Sequence, residues 1–265
     1  MRRIAFPAVV LLLVAHATSA NAQTTRLETA YSIYLTGLPV ARGSVTVDLT
    51  ETGYVASGGA KTSRLIRLIS KSDGSVSVRG KLEANRMITS NFSGRYHSSR
   101  HEQKIELSVV KGVATEISIE PPLPDNDKGR VPITKDSRTN IVDPMSAMLA
   151  FVAKGDLLSP ESCNRTIPIF DGRYRFNVVL SYARTEKSMR AEGYQGPALV
   201  CQARYVPIAG HRDRETVQQM ADNRDMFVWL APVAGTRVLA PIKASISSPI
   251  GNFVVEATSF RTSTR

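Results

Sequence analysis

His211, Asp213 and Glu215 alternate along one polar stretch, so an extended backbone would present all three on one face. Imidazole and carboxylate together can hold a divalent metal or move a proton. Exposed polar loops also produce such triplets by composition alone. His97 and His101 share a helical spacing that would suit zinc, but the surrounding Tyr-His-Ser-Ser-Arg-His-Glu reads as a polar loop after a strand. The chain has no Gly-x-Ser-x-Gly turn to raise a nucleophile, and nothing marks an oxyanion hole. Asp171-Gly172 reads as a turn, with Arg173 and Arg175 on the solvated face of the strand that follows. The acids between Pro121 and Gly129 lack the spacing and closing glutamate of a calcium loop. These residue types predict no catalytic centre, no metal and no cofactor.

The two cysteines, Cys163 and Cys201, point to structure instead of chemistry. Residues 1–22 have the form of a cleavable export signal: Arg2 and Arg3, an apolar run from Ile4 to Ala15, and Ala20-Asn21-Ala22 before Gln23. That run is too short to span a bilayer, and no other segment is apolar enough to do so. The expected location is the periplasm. In an oxidising compartment two lone cysteines pair, so a Cys163–Cys201 disulfide is expected, whereas no Cys-x-x-Cys suggests redox work.

Removing Arg2 and Arg3 leaves 32 basic side chains against 23 acidic ones, a net charge of +9. This balance suits anionic lipid, an envelope polymer or an acidic envelope protein as partner, and it equally serves solubility. The basic residues are scattered, without a run of five or six. Export and the lack of a recognition motif exclude nucleic acid.

The elements that would position these groups are mostly strands. Alternation marks 27–35, 41–49, 54–61, 75–82, 87–96, 103–110 and 113–119, with turns at Gly37-Leu38-Pro39, Asp73-Gly74 and Lys111-Gly112. Leu65, Ile66, Leu68 and Ile69 recur at helical spacing. A Pro-rich loop at 121–132 cannot enter a sheet interior. Asp143 reads as an N-cap with Pro144 at the first helical position, which predicts a helix over 144–154 with Met148, Leu149 and Val152 on one face. Strands resume at 163–169, 174–182 and 199–205, a meander whose outer members the disulfide would tie. Residues 212–225 are a polar helix or loop, and strands at 226–230, 238–245 and 252–260 follow. About a dozen short strands with one or two short helices predict an all-β, mainly antiparallel fold: a curved half-barrel, barrel or spiral, in a single domain over 23–265.

The run from Cys163 to Arg173, Gly196-Pro197-Ala198 before Cys201, the stretch from Tyr205 to His211, and Trp229-Leu230-Ala231-Pro232 resemble an exported proteobacterial family, domain-of-unknown-function family 3108. The stretch from Tyr31 to Ala41 and Asp143-Pro144-Met145-Ser146-Ala147 fit it too. The resemblance implies nothing about activity. The broader architecture looks like the curved sheets of periplasmic lipoprotein carriers and envelope-integrity proteins, which by analogy would wrap a helix and leave an apolar concavity. A non-catalytic carrier of a lipid, acyl chain or other apolar ligand is therefore expected, with Met148, Leu149 and Val152 lining the cavity. The alternatives are an envelope interaction protein working through its basic surface, and an enzyme.

Overall fold

A computed structural model describes residues 23–64, 66, 71–99, 101–122 and 129–265. Alternating runs in the first half become an uninterrupted antiparallel meander: β1 (Thr25–Leu35), β2 (Leu38–Leu49), β3 (Gly53–Thr62), β4 (Ser72–Glu83), β5 (Arg86–Ser98), β6 (Glu102–Val110) and β7 (Val113–Glu120). The Thr36-Gly37 and Lys111-Gly112 turns place both residues at positive φ, as the twist of a tight hairpin requires. Leu38 and Pro39, expected in the first turn, belong to β2. Pro39 is tolerated because it sits at a register shift. Asp73-Gly74, expected as a turn, lies inside β4, where Gly74 pairs with Ala60 on one side and Tyr96 on the other.

After the two-residue β8 (Ala150–Phe151), the second half contains β9 (Arg165–Phe170), β10 (Arg175–Ala191), β11 (Tyr194–Ala209), the helix α1 (Glu215–Asp222), β12 (Met226–Pro232), β13 (Val238–Ser248) and β14 (Gly251–Thr264). All fourteen strands form one sheet in the order β7-β6-β5-β4-β3-β2-β1-β14-β13-β12-β11-β10-β9, with β8 paired to β13. The sheet therefore joins its two halves where the first strand meets the last, from Thr25 opposite Thr264 to Leu35 opposite Phe253.

The sheet is curled but not closed. Its outer strands β7 and β9 do not pair with each other; residues 139–142 span the gap. Thr139 bridges to Val113 of β7 and Val142 to Ile169 of β9, where the Val142 N–H donates to the Pro168 carbonyl and the Val142 carbonyl accepts from the Phe170 N–H. The main core, including Leu27, Val47, Phe92, Leu107 and Phe260, draws from both halves. A second cluster around Cys163, Leu180, Leu199, Cys201 and Leu239 covers the other face of the C-terminal half. Among the described residues no helix is long and apolar enough to cross a membrane.

The helix expected over 144–154 is not formed. Asp143 does behave locally as an N-cap: its Oδ1 accepts from the N–H groups of Met145 (2.9 Å) and Ser146 (3.0 Å). The turn then stops as a single 3-10 turn, Ser146–Met148, because Ala150 and Phe151 pair with Leu239 and Val238. Residues 65 and 67–70 of the other expected helix, the export signal and residues 123–128 of the Pro-rich loop lie outside the described residues. Glu215–Asp222 in the polar 212–225 stretch is a helix.

Candidate functional site

Two adjoining pockets occupy the C-terminal half. The larger is an apolar cavity of about 480 Å3 on the disulfide-bearing face of the sheet. Spacing by two puts Val178 and Leu180 of β10, Ala203 of β11, and Val228 and Leu230 of β12 on its floor. Phe176 and Tyr205 flank them, their rings 5.2 Å apart. Met148 from the 3-10 turn and Met220 from α1 also line it, and Met148 stays 38% exposed. Flexible thioether side chains adapt to irregular apolar shapes. The lining is almost free of polar atoms, and its size falls within the range of small-molecule sites.

A second pocket of about 400 Å3 lies where β10 begins and the chain turns from β11 into α1. Arg130, Arg173, Tyr174, His211, Arg212 and Arg214 line it. The Pro-rich loop returns to the sheet here: Arg130 bridges to Arg212, the Val131 N–H donates to the His211 carbonyl, and the Gly210 N–H donates to the Val131 carbonyl. Gly210 has φ +81°, and a Cβ there would lie 1.9 Å from the Arg173 carbonyl oxygen, so only glycine fits. Asp171 shapes the same corner. Its Oδ1 accepts from the N–H groups of Arg173 (2.8 Å) and Tyr174 (2.6 Å), making the expected turn, and burial raises its pKa above the usual carboxylate range.

Between the two halves sits a buried polar latch. Asp143 Oδ2 accepts from Thr89 Oγ1 (2.6 Å) and from the Ser146 hydroxyl, while Tyr54 and Ser146 share a 2.5 Å hydrogen bond. Asp143 is fully buried, and desolvation pushes its pKa up against the opposing effect of these donors. With both Asp143 oxygens engaged by donors, this triplet of Tyr, Ser and Asp holds the 143–148 turn against β3 and β5.

The expected site residues separate. Met148 lines the apolar cavity, but Leu149 is buried in the main core and Val152 in the cluster beside the disulfide. Losing the helical turn takes them off a common face. Cys163 and Cys201 are bonded, with Cα atoms 5.5 Å apart, and the bridge passes from the start of β9 to β11 across β10. His211 lines the basic pocket, whereas Asp213 is exposed and Glu215 accepts from Gln219 one turn along α1. Among the described residues no group of three His, Cys, Asp or Glu side chains is arranged to hold a metal ion. Arg173 and Arg175 are not the solvated pair their alternation suggested. Arg173 lines the basic pocket, and Arg175 is 8% exposed, donating to the Phe176 carbonyl and to Asn177. The basic pocket was hidden in the sequence because its arginines come from three distant segments.

A family model described as "Protein of unknown function (DUF3108)" matches residues 30–258. No curated protein gives a significant match. Among solved structures, the chain is similar to the crystal structure of a beta-barrel-like protein of domain of unknown function DUF1849 from Brucella abortus. That likeness has a TM-score of 0.51 at 8% identity and covers 90% of this chain and 98% of that one. At such identity it speaks for the fold alone.

Proposed function

We propose, from the premise that the chain belongs to the DUF3108 family, that it is a non-catalytic binding or carrier protein for an apolar ligand of the acyl-chain class, acting in the cell envelope after export. The observation that carries this reading is the apolar cavity over β10–β12. A sheet face lined by Val178, Leu180, Ala203 and Val228 would ordinarily be sealed by a helix or a second sheet. Here α1 and the Ser146–Met148 turn cover only its margins, through Met220 and Met148. Each methylene transferred from water into such a site contributes about 0.8 kcal/mol, against which the immobilisation of the ligand counts.

The test is to fill the cavity without disturbing the core. Ala203→Trp places a large ring on the cavity floor, and it is expected to abolish binding of a fluorescent fatty acid or monoacylglycerol while the protein stays folded. Equal binding by wild type and Ala203→Trp would place the ligand elsewhere. Native mass spectrometry of gently purified protein should also show a co-purifying acyl species, and a clean unliganded mass after incubation with envelope lipids would count against a carrier.

A further inference from the structure

We propose that the basic pocket is a head-group site for a phosphate-class oxyanion, so that the molecule held by the protein is an anionic amphiphile with its chain in the apolar cavity. This rests on the apolar-cavity reading above.

Charge is the first observation. Four arginines and His211 converge on one pocket, and among its described lining residues there is no carboxylate. Asp171, at the same corner, turns its Oδ1 to the backbone of its own turn and interacts electrostatically with Arg173 alone among the pocket's arginines. Asp213 and Glu215 are exposed on the entry to α1. Gathering like charges is unfavourable unless a counter-charge sits among them, and guanidinium groups match the spacing of phosphate oxygens.

The second observation is an unmet hydrogen-bonding demand. Arg173 Nε and His211 Nδ1 are both buried and have no hydrogen-bond partner. A buried donor without an acceptor is costly, so the Arg173 Nε–H is matched to a group that supplies an acceptor, and His211 Nδ1, lining the same pocket, donates to that group in its Nδ1–H tautomer. Arg130 and Arg212 have partners already, Arg130 donating to the Gly210 carbonyl, so they contribute field while Arg173 and His211 offer the open atoms. Arg173 is also pre-oriented. Its Nη1 donates to Gln103 (3.2 Å), and its guanidinium lies 5.4 Å from the Tyr174 ring centroid, the same distance as that of Arg130.

The third observation is adjacency. Thr216 and Val217 of α1 line the basic pocket, and Met220, one helical turn further on, lines the apolar cavity. At the entry to β10 the same step runs from Tyr174, just before the strand, to Phe176 within it, roughly 7 Å for two extended residues. A single-chain amphiphile can therefore lie with its head among the arginines and its tail over Val178 and Val228.

Three probes separate the possibilities by titration calorimetry on the full chain: a lysophosphatidic acid, a monoacylglycerol of the same chain length, and inorganic phosphate. The expected result is about tenfold tighter binding of the lysophosphatidic acid than of the monoacylglycerol, the scale of one charge-assisted hydrogen bond. Arg173→Gln should erase that difference and leave the monoacylglycerol unchanged. Arg214→Gln, at an exposed position where folding is not at stake, should reduce it in the same direction. Equal affinities for the two acyl probes would overturn the head-group site and leave the apolar cavity standing. Binding of phosphate through Arg173 with neither acyl probe bound would overturn the amphiphile and the cavity reading together, leaving a free-anion site. No binding of any probe would overturn both.

Discussion

Strands β2–β7 bury one face and give the other to water, whereas β11, β12 and β13 each contain a stretch buried on both faces. In β4 only alternate residues, such as Val78 and Gly80, are buried. In β11 four consecutive residues, Ala198 to Cys201, are wholly buried, and β13 opens with three more, Val238 to Ala240. Alternation needs one partner layer; a two-sided apolar strand needs two. The N-terminal half finds its single layer in the main core. The C-terminal half uses that core on one side, but on the other it has only the disulfide cluster, the edge of α1 and a short turn, and the uncovered remainder is the cavity. An apolar pocket thus arises where the pattern of the strands asks for more cover than the chain supplies.

Removing the disulfide should disturb this contrast most. Cys163→Ser is expected to cost about 4 kcal/mol from loop entropy, lowering the melting temperature and leaving Cys201 reactive to thiol reagents. Hydrogen exchange should accelerate first in β9–β11; uniform acceleration across β1–β7 would mean that the halves do not differ in what supports them. Next, Leu107→Ala in β6 should cost about 3 kcal/mol by opening a hole in the main core, with unchanged affinity for an acyl probe. A loss of affinity there would show that the one-sided half also shapes the cavity.

The smallest effect probes the latch that joins the halves. Asp143→Asn keeps an acceptor for Met145 and Ser146 and should cost about 1 kcal/mol. Because burial raises the Asp143 pKa, its contribution to stability is greatest below the ordinary carboxylate range and is lost as pH rises through the folded value. The gap between wild type and Asp143→Asn in chemical denaturation should therefore narrow as the pH rises above the ordinary carboxylate range. A widening gap would mean that the fold stabilises the carboxylate.

The strands of both halves were legible because period-two alternation survives in both, as in Tyr174 to Tyr182, where Tyr174, Phe176, Val178, Leu180 and Tyr182 alternate with Arg175, Asn177 and Ser181. The β10–β11 hairpin extends much further than its apolar residues indicated. Arg184 to Arg190 is polar, and it is held as strand by pairing with the segment from Tyr194 and by packing of Tyr194 on Phe260. The 144–154 helix failed for a related reason. Asp143 makes the hydrogen bonds of an N-cap, so local sequence cannot distinguish a cap from an isolated turn; pairing of Ala150 with Leu239, far along the chain, decides it. Of the candidate site, Met148 and His211 were visible by type and spacing. The cavity floor was not, since Val178, Ala203 and Val228 look like ordinary core until it is known what covers them.

Residues 139–142 have a consequence for whether further strands can add to the sheet. A long sheet with two open ends invites neighbouring chains to add strands, the first step toward fibrous aggregates. Here the backbone that bridges Val113 and Ile169 occupies hydrogen-bonding positions on both terminal strands at once. Pro168, inside β9, has no N–H to offer, and its carbonyl is taken by Val142. An incoming strand would have to displace this short strap before it could dock.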